Sequence, residues 1–236
     1  MSRLVWDAVG ERLYETGTDR GVLYPTKDDG TYDKGVNWNG LTTVTETPEG
    51  GEAEDQYADN IKYLSLMSAE SFGGTIEAFS YPPEFEECDG TKSFVGGIAV
   101  GQQARKSFGF SYRTVVGNDV KGNDFGYKLH LVYGAKVSPS EKSYSTINDS
   151  PEAITFSWEF KTTPVPFQTY RDLKPTAILT IDSTKLDQAG KAKLLELEDM
   201  LYGVNADPEH SIEASDPMLP TPDAVLALFG VSAAAG

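Results

Sequence analysis

Three stretches of the chain alternate apolar and polar positions with period two. In residues 153–161, Ile154, Phe156, Trp158 and Phe160 share one parity, while Thr155, Ser157, Glu159 and Lys161 take the other. Residues 127–133 repeat the pattern, with Tyr127, Leu129, Leu131 and Tyr133 set against Lys128, His130 and Val132. Residues 108–113 do so again, with Phe108, Phe110 and Tyr112 against Gly109, Ser111 and Arg113. Successive side chains of a strand point to opposite faces, so each stretch predicts a strand with one dry face and one that meets water or another subunit. The candidate core is therefore Phe108, Phe110, Leu129, Leu131, Ile154, Phe156, Trp158 and Phe160.

Further strand character lies in "VNWNGLTTVTE", "YADNIKYLSLM", "GTIEAFSYP" and "TAILTID", rich in β-branched and aromatic residues. Residues 107–116 and 125–137 predict a hairpin across "GNDVKGND". One longer helix is predicted near 187–202, where Leu194, Leu197 and Leu201 recur at three and four, Asp187 suits the N-cap and Gly203 the position past the end. Residues 83–90, "PEFEECDG", read as one helical turn, and Thr221 caps a short helix over 222–229. The polar stretches 26–35 and 47–56 read as long loops, which in a compact domain are functional or disordered. The expected organisation is an N-terminal arm or hairpin (1–25), a mainly β domain (26–203), and an acidic linker with a short C-terminal helix (204–236).

Charge narrows the chemistry. Thirty-six Asp and Glu against twenty Lys and Arg leave a net −16, a surface that repels phosphate and is unsuited to gripping nucleic acid. The lone Cys88 permits no internal disulfide and no cysteine-based zinc site, which fits a reducing compartment. No apolar run approaches the roughly 20 residues of a membrane helix. The first residues, "MSRLVWDAVGERLY", lack the long apolar core of a signal peptide, so a cytosolic origin is expected.

No catalytic constellation stands out. The chain has two histidines and neither a G-x-S-x-G elbow nor a phosphate-binding loop. His130 falls on the polar parity of its strand and reads as a surface or interface residue; His210 sits in the acidic linker. "GNDVKGNDFG" is acidic enough to suggest calcium, but its spacing fails the EF-hand pattern and a hairpin turn explains it better. Neither a cofactor nor a metal is expected, and no catalytic residue is assigned. Trp6, Tyr14, Tyr24, Trp38 and Tyr57 lie in less regular segments and are candidate anchors of an assembly interface, where Trp and Tyr are enriched. Exposed aromatics would equally suit a carbohydrate-binding or adhesin module. An acidic hydrolase is a further possibility.

Five ordered blocks decide between these readings. "WNGLTTVTETPEG", "YADNIKYLSLMSAESFGGTIEAFSYPPEFEECDG", "GQQARKSFGFSYRTVVGND", "GYKLHLVYGAKVSPSEKSYSTINDSPEAITFSWEFKTTPV" and "KPTAILTIDSTKLD" resemble the major tail proteins, or tail tube subunits, of bacteriophages with long non-contractile tails. The resemblance runs from about Leu4 to Tyr202 and extends toward Phe229. It implies a β-sandwich or partly rolled barrel with a flanking helix, extended loops and terminal arms. It also implies a structural role without enzymatic activity: hexameric rings stacked into a tube, assembled in the host cytoplasm and resident in the virion tail. Double-stranded DNA would pass through the tube without specific binding. The implied partners are further copies of the chain, a tape-measure protein, a tail terminator and tail tip proteins, with no membrane insertion.

Overall fold

The computed structural model describes residues 3–94, 97–147, 149, 152–207, 210 and 213–232. These form twelve strands, two α-helices and one 3-10 turn. The strands are β1 (Leu13–Pro25), β2 (Val36–Asn37), β3 (Leu41–Glu46), β4 (Ala53–Ala58), β5 (Ile61–Met67), β6 (Gly73–Ala78), β7 (Lys92–Ser93), β8 (Ala99–Val100), β9 (Phe108–Asn118), β10 (Gly122–Val137), β11 (Phe156–Thr162) and β12 (Ile178–Asp182). The helices are α1 (Gln188–Tyr202) and α2 (Pro222–Leu228), and the 3-10 turn covers Pro83–Phe85.

Eight strands make one antiparallel sheet in the order β2-β1-β9-β10-β11-β6-β3, with β12 also paired to β10. β10 is the pivot. Its residues 128–132 pair with β12 and its residues 135–137 pair with β11. Between them the register against β9 shifts after Val132, and Gly134 takes φ +61°. A bulge with a left-handed residue bends a strand and increases its twist. The sheet folds over at that point, so β11, β6 and β3 lie across a core from β1, β9 and the start of β10, without closing into a barrel.

Two cores result. The first is aromatic and lies inside the fold of the sheet. Trp38 packs on Phe85 at 4.6 Å and on Trp158 at 5.7 Å between ring centroids, and Phe85 lies edge-on to Phe108 at 5.7 Å. The second lies on the outer face of β1, β9, β10 and β12, beneath α1, α2 and the chain near Leu219. Register assigns the faces: Phe110 stands opposite Val132 and Leu23 in the first core, whereas Ser111 stands opposite Leu131 and Val22 in the second. Buried tyrosines fasten the helical layer to the sheet. Tyr24 donates its hydroxyl to the Leu201 carbonyl at 2.9 Å, and Tyr133 to the Pro220 carbonyl at 3.1 Å.

Most of the expected core is buried: Phe108, Phe110, Leu129, Leu131, Trp158 and Phe160. Phe156 is half-buried and stacks on Trp158. Ile154 is exposed, contrary to expectation, because its would-be partner strand has ended: β11 pairs with β6 only from Phe156↔Ala78, and the chain reaches Pro82 and Pro83 soon after. The "wet" parity of the central strands is also corrected. Gly109, Ser111, Val132 and His130 are all buried, since both faces of β9 and β10 are covered.

The helix near 187–202 forms as expected, with the Asp187 carboxylate accepting from the Gly190 amide at 2.7 Å and Leu194, Leu197 and Leu201 buried. Three boundaries move. Residues 13–25 are not an arm but a full sheet strand, so the N-terminal appendage among described residues is 3–12. The second half of the expected loop 47–56 is strand β4. The stretch 204–220 includes a packed strap: Leu219 fills the second core and the Pro217 carbonyl accepts from the Gly35 amide at 2.8 Å.

A side chain at position 134 would meet the Thr163 carbonyl oxygen at 2.4 Å in a backbone conformation that L-residues resist. Gly134→Ala is expected to destabilise by about 2 kcal/mol or more, read as a lower midpoint of urea unfolding.

Candidate assembly surface

β4 and β5 form a two-stranded hairpin outside the main sheet, closed by Asp59 and Asn60 at φ +49° and +65°. Two successive left-handed residues are what a tight hairpin turn demands. All thirteen strand residues of the hairpin are exposed. Tyr57 and Tyr63 are each 70% accessible and Met67 73%, with Ile61 and Leu66 also bare. Polar groups hold the hairpin's own shape: Lys62 pairs with Asp55 at 2.6 Å, and the Ser65 hydroxyl donates to the same carboxylate at 2.8 Å. The Lys62 ammonium holds the Asp55 carboxyl below the usual carboxylate range, with Ser65 adding to the effect.

A second apolar appendage is the segment before β1. Leu4, Val5, Trp6 and Val9 are each about three-quarters accessible. It is tethered to the body by polar contacts: the Gly10 amide donates to Asp119 Oδ1 and Asn118 Nδ2 donates to the Gly10 carbonyl, both at 3.0 Å. The smaller β7–β8 hairpin bears exposed Phe94, Ile98 and Val100. A folded chain that buries two cores yet leaves three appendages apolar has surface suited to a partner.

The candidate anchors divide accordingly. Trp6 and Tyr57 are exposed on the appendages. Tyr14 is partly exposed; its ring covers Gly117 and its hydroxyl donates to Asn123 Oδ1 at 2.9 Å. Tyr24 and Trp38 are corrected: they are 0% and 3% accessible, each completing an interior core, so neither offers a face to another copy. The residues that sequence reasoning missed are Ile61, Tyr63, Leu66 and Met67, on the return strand. Their signal was the Asp59–Asn60 turn, which marks a hairpin rather than a loop followed by a strand.

One polar cluster is built into the first core's open end. Glu46, the last residue of β3, accepts from the Tyr112 hydroxyl at 2.5 Å and lies 3.2 Å from His130 Nδ1. A carboxylate only accepts, so Nδ1 carries hydrogen toward it. His130 Nε2 lies 3.0 Å from the Thr114 hydroxyl, Thr180 lies 3.4 Å from Nδ1, and the imidazole stacks flat on Tyr112 at 4.6 Å. Expected at a surface or an interface, His130 is an interior residue of the single chain. The hydrogen bond from His130, then that from Tyr112, holds the Glu46 carboxyl below its usual range against the opposing effect of burial, and Lys128 adds a favourable charge. Lys128 itself pairs with Glu15. The cluster ties β3 across the core to β9 and β10.

A groove of about 530 Å³ lies between the 25–33 loop and the 3-10 turn, with Asp28, Asp33, Glu84, Glu86 and Glu87 in its lining. Lys106 crosses it, 2.8 Å from Glu87 and 3.6 Å from Asp28. Among the described residues no three or more His, Cys, Asp or Glu side chains gather to hold a metal ion. No described helix is long and apolar enough to cross a membrane.

No family model matches the chain, and no curated protein does. Among solved structures, the chain is similar to one in the cryo-EM structure of the anti-feeding prophage (AFP) baseplate, 6-fold symmetrised. That likeness spans 78% of this chain and 100% of the other at 9% identity, with a TM-score of 0.35.

Two outcomes follow from the burial and the cluster. Trp38→Ala is expected to cost about 3–5 kcal/mol of stability, while Tyr57→Ser changes it by less than about 0.5 kcal/mol; chemical denaturation of the isolated chain distinguishes them. Glu46 has a depressed folded-state pKa, so its contribution is present above its unfolded value and is lost as pH falls through the folded one. Glu46→Gln is therefore expected to cost about 1 kcal/mol at pH 7, its solvent-exposed side allowed for. The gap from the parent should narrow as pH falls below the ordinary glutamate range, measured as unfolding midpoint against pH.

Proposed function

We propose that the chain is a structural protein of a bacteriophage virion, a tail tube subunit whose working form is a polymer of identical copies. Two things support this reading: the five ordered sequence blocks that resemble major tail proteins, and the apolar hairpin that a single chain leaves uncovered. The hairpin is the observation that carries it. Two-stranded hairpins are marginally stable alone in water, and strand edges with free N–H and C=O groups invite pairing with another chain. Here both features coincide with bare Tyr57, Ile61, Tyr63, Leu66 and Met67. Contact of such an appendage with a different surface of the next copy is heterologous, so it closes into rings or propagates along an axis.

In this reading six copies form a ring, rings stack into the tail tube, and the channel conducts double-stranded DNA during ejection. The net charge of −16 suits a conduit that DNA must not adhere to. Screening reaches about 8 Å at physiological salt, so acids on the channel wall would act on DNA over that range. A tape-measure protein, a terminator and tip proteins would bound the tube, with assembly in the host cytoplasm. The role needs no catalysis.

Negative-stain microscopy of concentrated protein is the test. Rods with a central channel are expected. A monodisperse monomer that shows sugar-dependent thermal shifts or turns over a substrate would overturn the reading. The double substitution Tyr57→Ser with Tyr63→Ser is expected to leave the thermal unfolding of the isolated chain within a few degrees of the parent while abolishing rods, as followed by sedimentation.

A further inference from the structure

The hairpin is a continuation of the sheet, interrupted at one place. β3 and β6 pair from Leu41↔Ala78 to Glu46↔Gly74, and β4 and β5 pair from Ala53↔Met67 onward. Glu46↔Gly74 and Ala53↔Met67 keep one register, with no residue gained or lost between them. The ribbon therefore runs out of the sheet as two continuous strands. On the sheet side the ladder persists through the Thr47 amide to the Gly73 carbonyl and the reciprocal Glu49–Ser71 pair, all at 2.8 Å. Beyond that pair, no main-chain hydrogen bond among the described residues links 50–52 to 68–70. Among the described residues the gap is spanned by the Gly51 amide, which donates to the Ser68 hydroxyl at 3.1 Å.

The gap is occupied by Gly50 and Gly51, at φ +85° and +73°. A side chain at 50 would meet the Ala69 carbonyl oxygen at 2.6 Å, whereas one at 51 would meet nothing within 4 Å. Two adjacent glycines have wide backbone freedom, and an unladdered stretch opens at low cost. On the arm side the β4–β5 ladder resumes, with Lys62 and Ser65 both on Asp55 across it. The sheet side is clamped by Glu46 on Tyr112 and His130, and by Lys161 to Glu49 at 2.9 Å. Neighbouring support also ends there: the Thr162 amide donates to the Phe72 carbonyl at 3.1 Å, at the end of β11.

We propose that residues 52–68 are a stiff arm on a joint at Gly50–Gly51, swinging as a unit while the sandwich stays fixed. The motion belongs to the single chain. Its use, to let the arm meet neighbouring copies at different angles, rests on the tube reading. From the joint to Ala58 is seven residues, or about 23 Å of strand. A swing of about 30° would carry the tip roughly 12 Å at that length.

Double electron–electron resonance on spin-labelled protein tests this in dilute monomer, so its outcome does not depend on assembly. Cys88 is fully buried and its thiol is pushed up to about 12 by burial, so it is left unlabelled. Ala58→Cys with Glu159→Cys reports arm against sheet. Ala53→Cys with Ala58→Cys reports within the arm, and Glu159→Cys with Lys191→Cys within the body. The first pair is expected to give a distance distribution several-fold broader than either control. Gly51→Ala, disfavouring the left-handed backbone, is expected to shift that distribution and leave both controls unchanged. An arm-to-sheet distribution as narrow as the controls would overturn the proposal. So would a within-arm distribution as broad as the arm-to-sheet one, since the arm would then not be a unit.

Discussion

Burial of both faces of β9 and β10 is the constraint on which the rest of the chain is arranged. One face carries aromatic rings and the other carries Leu129, Leu131 and Tyr133. Neither can be left to water, so each needs its own cover. The first cover is the sheet itself, folded over at Gly134 so that Trp158 and Phe160 return against Phe108 and Phe110. The second is made by elements more than fifty residues further along the chain: α1, the strap at Leu219, and α2. Cover from so far away costs chain entropy before any contact is gained. The tyrosine hydroxyls on Leu201 and Pro220 carbonyls fix the register of that cover as well as its presence.

The same constraint explains what could be read from the residues and what could not. Alternation in 108–113 and 153–161 identified strands and most of the first core, because that signal is local. It could not reveal that the opposite parity is also dry. Ser111 and Gly109 look like solvent positions, yet they are small because Leu219 and Tyr32 crowd Gly109 and the Tyr24 hydroxyl reaches Ser111. His130 looked like a surface group because its partners, Glu46 and Thr180, come from strands remote in sequence. Tyr24 and Trp38 looked like free anchors for a related reason. Their pockets are assembled from distant parts of the chain, so irregular flanking sequence said nothing of burial.

At the candidate surface the balance is different. Of the aromatics named as anchors on irregular flanking sequence, Tyr57 and Trp6 are the two that the fold leaves largely bare. The return strand β5 was legible as a strand, but the outgoing β4 was not, because acidic residues 47–56 read as a loop and mask a ribbon that keeps the register of β3 and β6. Composition there argues for a loop, and only the Asp59–Asn60 turn argues for pairing.

A hairpin that is acidic, apolar and unsupported is a compromise between two demands on one surface. Its tyrosines and aliphatic side chains favour contact with a partner, because burying them removes about 25 cal/mol for each Å² taken from water. Its carboxylates, Glu52, Glu54, Asp55 and Asp59, oppose the approach of another chain of net charge −16. Among the described residues, Asp55 alone of these has a lysine partner, Lys62. The apolar gain is short-ranged and needs a fitted surface, while the repulsion acts over a Debye length on any copy that comes near. In the proposed polymer, random encounters would therefore meet repulsion without compensation, and only a docking that buries the hairpin would overcome it. Acids beside bare tyrosines keep the edge from sticking indiscriminately, which is how exposed strands are commonly protected.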